Sequence, residues 1–444
     1  MAGTNTNIVE IVKRAGVIGA GGGGFPTWVK FRSRVDVVIA NGSECEPLLR
    51  SDLTEMERKP DDIVRGLMCA MNVTGAKRGV IALKHHRKDA INALSKAIPD
   101  DGSIKLHLLD NYYPAGDEFI LVYEVTGKVI PEGGIPLSVG VLVNNVTTLI
   151  QVADAVNGKP VIERNVTLQG EFNEPKVVTV PIGTTYKELI KIAGGFTRQD
   201  SVLLDGGPMM GKIVQNREEG IGKTTSGIIA LPPDHFIIRS ISKPISLSIK
   251  QARSACCQCL RCSEMCPRNL IGHTIYPHMT MRTVGYIEDL PLNYVTSAFL
   301  CSSCGVCELI ACDVMQLSPR KIFAAYREKL IKNGIKNPHK NSPINASERF
   351  IDARLPLPMV MKKTNLEKYD IKIPFAGKAE VGFVRIPLKR HSGGPATPIV
   401  QKGDKVRMCD VIAQTPGDGP GTVCHASISG TITDITSDWI EIRS

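Results

Sequence analysis

Between residues 256 and 312 the chain places nine cysteines, eight of them in two regularly spaced runs, and no other stretch limits its folding as tightly. The first run is Cys256-x2-Cys259-x2-Cys262-x3-Cys266 with Pro267 behind it, residue for residue the spacing of bacterial two-cluster ferredoxins. Short spacers bring three thiolates round one face of a cubane, and soft thiolate is the ligand an iron–sulfur core requires. The second run, Cys301-x2-Cys304-x2-Cys307-x4-Cys312, has one more residue before its last cysteine and no proline. In two-cluster ferredoxins the distal cysteine of each run serves the other cluster. The spacing therefore predicts one [4Fe–4S] cluster on Cys256, Cys259, Cys262 and Cys312, and a second on Cys301, Cys304, Cys307 and Cys266. A pair of zinc sites is the alternative, since C-x2-C pairs also build zinc ribbons. Two runs of four, rather than separated pairs, favour the clusters. Cys257 is a spare in the first loop, and the scattered Cys45, Cys69, Cys409 and Cys424 read as small buried hydrophobes.

Thirteen cysteines, eight of them in cluster spacing, point to a reducing compartment, where thiols are kept for metal. The chain shows no 18-residue apolar run and no N-terminal signal pattern, so neither a membrane span nor export is expected. At 444 residues it has room for three or four domains. A net charge of +10 raises the question of nucleic acid, but Lys and Arg are dispersed and aromatics make up only 5%. A solvated basic surface that docks an acidic partner fits better than a nucleic-acid interface.

Apolar Ile8, Ile11, Val12 and Ala15 stand at helical spacing before the glycine-rich stretch Gly19 to Phe31. Gly19, Gly21 and Gly24 formally satisfy G-x-G-x-x-G, but that fingerprint belongs after a strand, and here it follows a helix. What remains is a loop whose backbone amides can approach an anionic or planar ligand closely, with Lys30 nearby. Val35 to Ala40 reads as a buried strand ending in Asn41-Gly-Ser-Glu44-Cys-Glu46-Pro47, where the two carboxylates are placed to accept hydrogen bonds. Helix Asp61 to Gly75, strand Gly79 to Lys84, helix Arg87 to Ala97, strand Lys105 to Asp110 and strand Val139 to Val143 follow. This alternation predicts a mainly parallel sheet covered by helices. Short strands around Val166 to Val180 and one helix, Tyr186 to Ala193, come next, with Asp205 to Gly211 as a turn-rich insert. Residues 333–365, rich in Pro, Asn and Lys, read as an extended connector. Residues 371–444 are strand-rich.

The Gly19 to Phe31 loop, the Asn41 to Pro47 turn, Gly116-Asp117-Glu118 and Val143-Asn144-Asn145-Val146-x-Thr148 together resemble two related proteins. These are the FMN- and NADH-binding subunit of respiratory complex I and the RnfC component of the Rnf complex. The resemblance implies FMN held noncovalently by Gly19, Gly21, Lys30, Asn41, Asn144, Asn145 and Thr148, and an NADH side lined by Phe25, Lys30, Glu46 and Glu118. The complex I proteins have Asp where this chain has Ser43, and Glu where it has Asp117. The resemblance further implies a multidomain α/β protein: a Rossmann-like FMN/NADH domain over 1–160, a β-grasp (SLBB-like) domain over 161–245, a helical two-cluster ferredoxin domain over 246–332, the linker 333–365 and a barrel-sandwich domain over 366–444.

In RnfC proteins the barrel-sandwich stands first, whereas here it stands last. The rearranged order resembles the cobalamin reductase family of the propanediol-utilisation bacterial microcompartment. Membership implies a cytoplasmic, microcompartment-enclosed oxidoreductase that passes electrons from NADH to cobalamin, with adenosyltransferase and shell proteins as partners. An Rnf-like electron-transfer protein with a protein acceptor, and a non-catalytic iron–sulfur relay or scaffold, are the alternatives. Between Asp418 and Ser444 the chain has no lysine, so no lipoyl- or biotinyl-type attachment is expected in the last domain.

Overall fold

The computed structural model describes residues 2–284, 292–415, 417 and 419–444, with side chains from residue 8 onward in the first helix. The predicted cluster domain thus includes 285–291, which lie outside the described residues. No helix among the described residues is long and apolar enough to cross a membrane.

The N-terminal domain is built on four parallel strands in the order Ile104–Leu109, Arg78–Lys84, Val37–Gly42, Val141–Asn145. Apolar residues fill both faces, as a sheet covered on two sides requires. Val38, Ala40, Ile81, Leu83 and Leu142 pack with the layer of helices Pro60–Thr74 and Val146–Val156. Val37, Ile39, Val80, Ala82, Val141 and Val143 pack with helix Glu118–Thr126 on the other side. The two helices of the first layer touch backbone to backbone: a Cβ on Gly66 would lie 2.0 Å from the Leu149 carbonyl oxygen, so only glycine fits there. After three strands in one direction the chain crosses back, and Val141–Asn145 joins beside Val37–Gly42 with Asn145 paired to Asn41. That reversal is the switch point where open α/β sheets bind ligands at their carboxyl edge.

A six-stranded sheet follows, in the order Phe375–Lys378, Lys176–Pro181, Glu163–Gly170, Gly227–Leu231, Val202–Asp205, Lys212–Ile213. Helix Tyr186–Ile192 buries Tyr186 and Leu189 against it. The edge strand Phe375–Lys378 comes from far along the chain and runs parallel to Lys176–Pro181. The first strand after residue 366 that pairs in a large sheet thus joins the preceding sheet. The barrel proper is a four-stranded sheet (Phe383–Pro387, Trp439–Arg443, Gly430–Ile435, Lys405–Val406) over a three-stranded one (Thr397–Pro398, Val411–Gln414, Cys424–His425). Val384, Ile386, Ile412, Ile432, Ile440 and Ile442 fill its core.

The connector 333–365 departs from the extended reading. Phe350 is buried in the layer of helix Glu118–Thr126, Leu355–Pro356 pairs antiparallel with Tyr112–Tyr113, and helix Leu357–Lys363 buries Val360 and Met361. Composition concealed this because Pro356 and Pro358 sit where proline is harmless, on a two-residue edge strand and in the first helical turn. A few apolar side chains at useful spacing outweigh the average polarity of the segment.

Candidate functional site

The glycine loop lies at the switch point. Thr148 in the first turn of helix Val146–Val156 accepts the Ala20 amide at 2.9 Å, fixing the loop above the strand ends. A Cβ on Gly21 would come within 3.3 Å of the Asn145 Cβ, whereas Gly22 and Gly23 face open space with no atom within 4 Å of a built Cβ. Asn145 caps its helix by accepting the Thr147 amide (2.9 Å) and donates to Asp52 (2.6 Å); Thr147 also donates to Asp52 (2.9 Å). Asn41 donates to the Gly116 carbonyl (2.9 Å) and accepts the Ser43 amide (3.2 Å), joining the first strand to the turn before helix Glu118–Thr126. The buried Asn144 amide nitrogen and Ser43 hydroxyl have no partner among the described residues. Open loop amides and unsatisfied buried polar groups at one sheet edge fit a polar, planar cofactor such as FMN. Asp52 and the buried Arg164 beside it escaped the sequence reading, because neither belongs to a motif. Burial raises the Asp52 pKa, and Arg164 is the charge that opposes this.

The residues predicted for the NADH side each have protein partners. Lys30 donates to the Val143 carbonyl (3.0 Å) and lies 3.5 Å from Glu118, with Phe25 exposed on the same loop. The Glu46 carboxylate accepts the Met209 amide at 2.9 Å and the Tyr113 hydroxyl at 3.3 Å. Burial pushes the Glu46 pKa up to about 7 despite those bonds. The turn-rich insert Asp205 to Gly211 is thus the cap of Glu46. Glu44 is also spent, since its oxygens accept the amides of Asp52 (2.8 Å) and Leu53 (3.1 Å) at the start of helix Ser51–Arg58. Asp117 has a structural use for its short side chain. It accepts the Phe119 amide at 3.0 Å as an N-cap and pairs at 3.1 Å with Arg268, whose guanidinium lies 3.5 Å from the Phe119 ring centroid.

Arg268 follows Cys266-Pro267 directly, so this pair joins the flavin-type domain to the cysteine loops. A second joint is the Tyr113 hydroxyl, which donates at 2.7 Å to the Cys304 carbonyl while touching Glu46. The eight cysteines fall into two groups. Cys266, Cys301, Cys304 and Cys307 wall one cavity with Ile275 and Phe323. Cys262 lies among Cys256, Cys259 and Cys312, and these thiols raise its pKa to about 12, after burial as the larger cause. Burial likewise lifts Cys304 to about 12. Thiols so placed become thiolates only when metal supplies the positive charge. Among the described residues no three His, Cys, Asp or Glu side chains close to the spacing of a single metal ion. The extra residue of the second run is absorbed in a π-helical turn, Val306–Ile310, with the Ala311 amide bonded to the Val306 carbonyl at 2.9 Å. Gln258, Leu260 and Ser303 adopt positive φ within the loops, and the Ser303 amide points at Cys301 Sγ (3.3 Å).

The barrel-sandwich closes on the glycine loop. Ser392 donates through its amide to Gly24 (2.9 Å) and through its hydroxyl to Gly23 (2.8 Å). Buried Lys223 bridges the Gly16 and Val423 carbonyls, each at 2.7 Å.

Comparison with known proteins gives four family matches, in the order the motifs predict. Residues 12–154 match the Nuo51 FMN-binding domain, 165–212 the SLBB domain, 255–317 a 4Fe-4S dicluster domain and 374–443 the RnfC barrel sandwich hybrid domain. The chain is 35% identical over 270 residues to a component of the proton-translocating ferredoxin:NAD(+) oxidoreductase complex of Clostridium ljungdahlii, covering 59% of this chain and 56% of that one. Cobalamin reductase PduS of Citrobacter freundii is 36% identical, with 98% of this chain and 96% of that protein covered. Cobalamin reductase PduS of Salmonella typhimurium is 37% identical over 438 residues, again 98% and 96%. With four domains matched in order and near-complete coverage of both chains, the protein belongs to the PduS cobalamin reductase family.

Proposed function

We propose that this oxidoreductase carries electrons from NADH to the cobalt of cobalamin, within a propanediol-utilisation microcompartment, and so supplies an adenosyltransferase. When bound, FMN would accept hydride and release electrons singly, and the two [4Fe–4S] clusters would conduct them. The single observation that carries the reading is the Tyr113 hydroxyl, which touches Glu46 of the flavin-type domain and the carbonyl of the cluster cysteine Cys304. The loop amides from Gly19 to Gly24, with Asn144, Asn145 and Thr148, would hold the flavin. Lys30, Glu118 and exposed Phe25 would meet the nicotinamide nucleotide, while Glu46 and Tyr113 would seal the passage towards the clusters. Cys266, Cys301, Cys304 and Cys307 would hold the inner cluster. Cys256, Cys259, Cys262 and Cys312 would hold the outer one, where Cys257, Cys259 and Leu260 are exposed to an acceptor. The corrin as acceptor rests on the names of the relatives.

The test is anaerobic: reconstituted protein, NADH and hydroxocobalamin, with adenosyltransferase present to trap cob(I)alamin. Adenosylcobalamin is expected only with NADH. Cys304→Ser should slow its formation while NADH still bleaches the flavin. Normal bleaching in the unaltered protein without corrin reduction would replace the corrin by a protein acceptor of the Rnf type.

A further inference from the structure

Lys84 ends the strand Arg78–Lys84 at the carboxyl edge of the parallel sheet, beside the switch point. It is 1% exposed, and among the described residues its ammonium has no hydrogen-bond partner. An unpaired ammonium so deeply buried is strongly disfavoured, so its retention calls for a counter-group. Alternation along the strand puts Lys84 on the face of Val80 and Ala82, towards the Tyr112 to Asp117 turn. That face also carries Asn41, bonded to the Gly116 carbonyl, and the unpartnered Ser43 hydroxyl. Ser43 and Cys45 both lie against Gly116, 3.3 and 3.2 Å from where its Cβ would be.

The nearby acids are already committed. Glu44 binds the amides of Asp52 and Leu53, Glu46 binds Met209 and Tyr113, and Asp117 binds Arg268 and its own helix. Arg50 and Arg87 add positive charge, and Cys45, its pKa raised to about 11 by burial, is a neutral thiol. Lys30, the other lysine at the site, already donates to Val143. Burial draws the Lys84 pKa down only to about 8, which leaves it charged at neutral pH.

We infer that Lys84 is the cation that faces the bound flavin and stabilises its reduced, anionic form, so that it sets the flavin reduction potential. The inference rests on the reading of the switch point as the FMN site. Transfer of hydride from NADH gives NAD+ and leaves the flavin with two more electrons and one more proton, hence one negative charge. A fixed positive charge in a water-poor pocket favours that product over the oxidised form.

The experiment is a dye-coupled redox titration of the FMN- and cluster-loaded full-length protein, wild type against Lys84→Met, with FMN content and cluster paramagnetic resonance recorded alongside. Lys84→Met should keep its FMN and both cluster signals. At a fixed poise its ratio of reduced to oxidised flavin should fall at least tenfold, which for a two-electron couple is ~30 mV. Lys84→Arg should restore part of the loss. An unchanged flavin potential in Lys84→Met overturns the inference and leaves the FMN site standing; failure of the wild type to take up FMN overturns the site itself. Should Lys84→Met not fold, the spectrum of reduced wild-type flavin decides. It should remain that of the anion below the pH at which free reduced flavin takes its second proton, and a neutral spectrum there overturns the assignment.

Discussion

At the scale of single residues, groups that look alike in sequence have different tasks. Glu44 and Glu46 are two positions apart, yet one caps a helix and the other is sealed beneath the Met209 loop. Glu46 carries a testable pH signature. Its folded pKa, raised to about 7, exceeds the unfolded carboxyl value of about 4.3, so the native state holds the extra proton between those values. The contribution of this group to stability is greatest below the unfolded value and is lost as pH rises through 7. Urea unfolding at pH 5 and pH 8 should show that loss in the wild type and a shallower one in Glu46→Gln. Lys84 has the opposite sign and a different window: its pKa of about 8 lies below the ordinary lysine value, so it changes stability only above pH 8. Gly21 gives a binding test. Valine there would press on Asn145, and Gly21→Val should lose FMN with its iron content intact.

Among elements, the cysteine loops were the most legible and the joints between them the least. Cys-x2-Cys-x2-Cys is local and so is plain in the sequence, and Cys266 lines one cavity with Cys301, Cys304 and Cys307. Strands and helices of the first domain also followed from periodicity, because a parallel sheet is written in short apolar runs. Helix Ser51–Arg58 was missed, since its start is capped by Glu44 in the preceding turn rather than by a residue at the N-cap position. The Asp117–Arg268 pair, the Tyr113 hydroxyl and the strand Phe375–Lys378 are long-range pairings that leave no period in the sequence. If ligation is crossed, Cys266→Ser should perturb the cluster of the Cys301 loop and spare that of its own loop in paramagnetic resonance; loss confined to the Cys256 loop would refute it. Asp117→Ala removes an N-cap and strands Arg268, both pair members being about one-tenth exposed. It should lower the unfolding free energy by about 3 kcal/mol, read by urea denaturation.

The whole molecule is tied together by its last domain. Ser392 binds the barrel-sandwich to Gly23 of the glycine loop, 369 residues earlier in the chain, and Lys223 bridges Val423 to Gly16. Deleting 374–444 should therefore reduce FMN retention, measured after desalting, although none of the predicted flavin residues is removed. The edge strand Phe375–Lys378 has a consequence in time as well. During synthesis its partner Lys176–Pro181 emerges about 200 residues earlier, which at ribosomal speeds of 5–20 residues per second is about 10–40 s. Through that interval the second domain has a bare sheet edge and the glycine loop lacks its cover, and the cysteine loops, which lie between the two strands in sequence, emerge before it ends. A nascent chain of this design thus leaves its glycine loop and its thiols uncovered before the final seventy residues close over the loop.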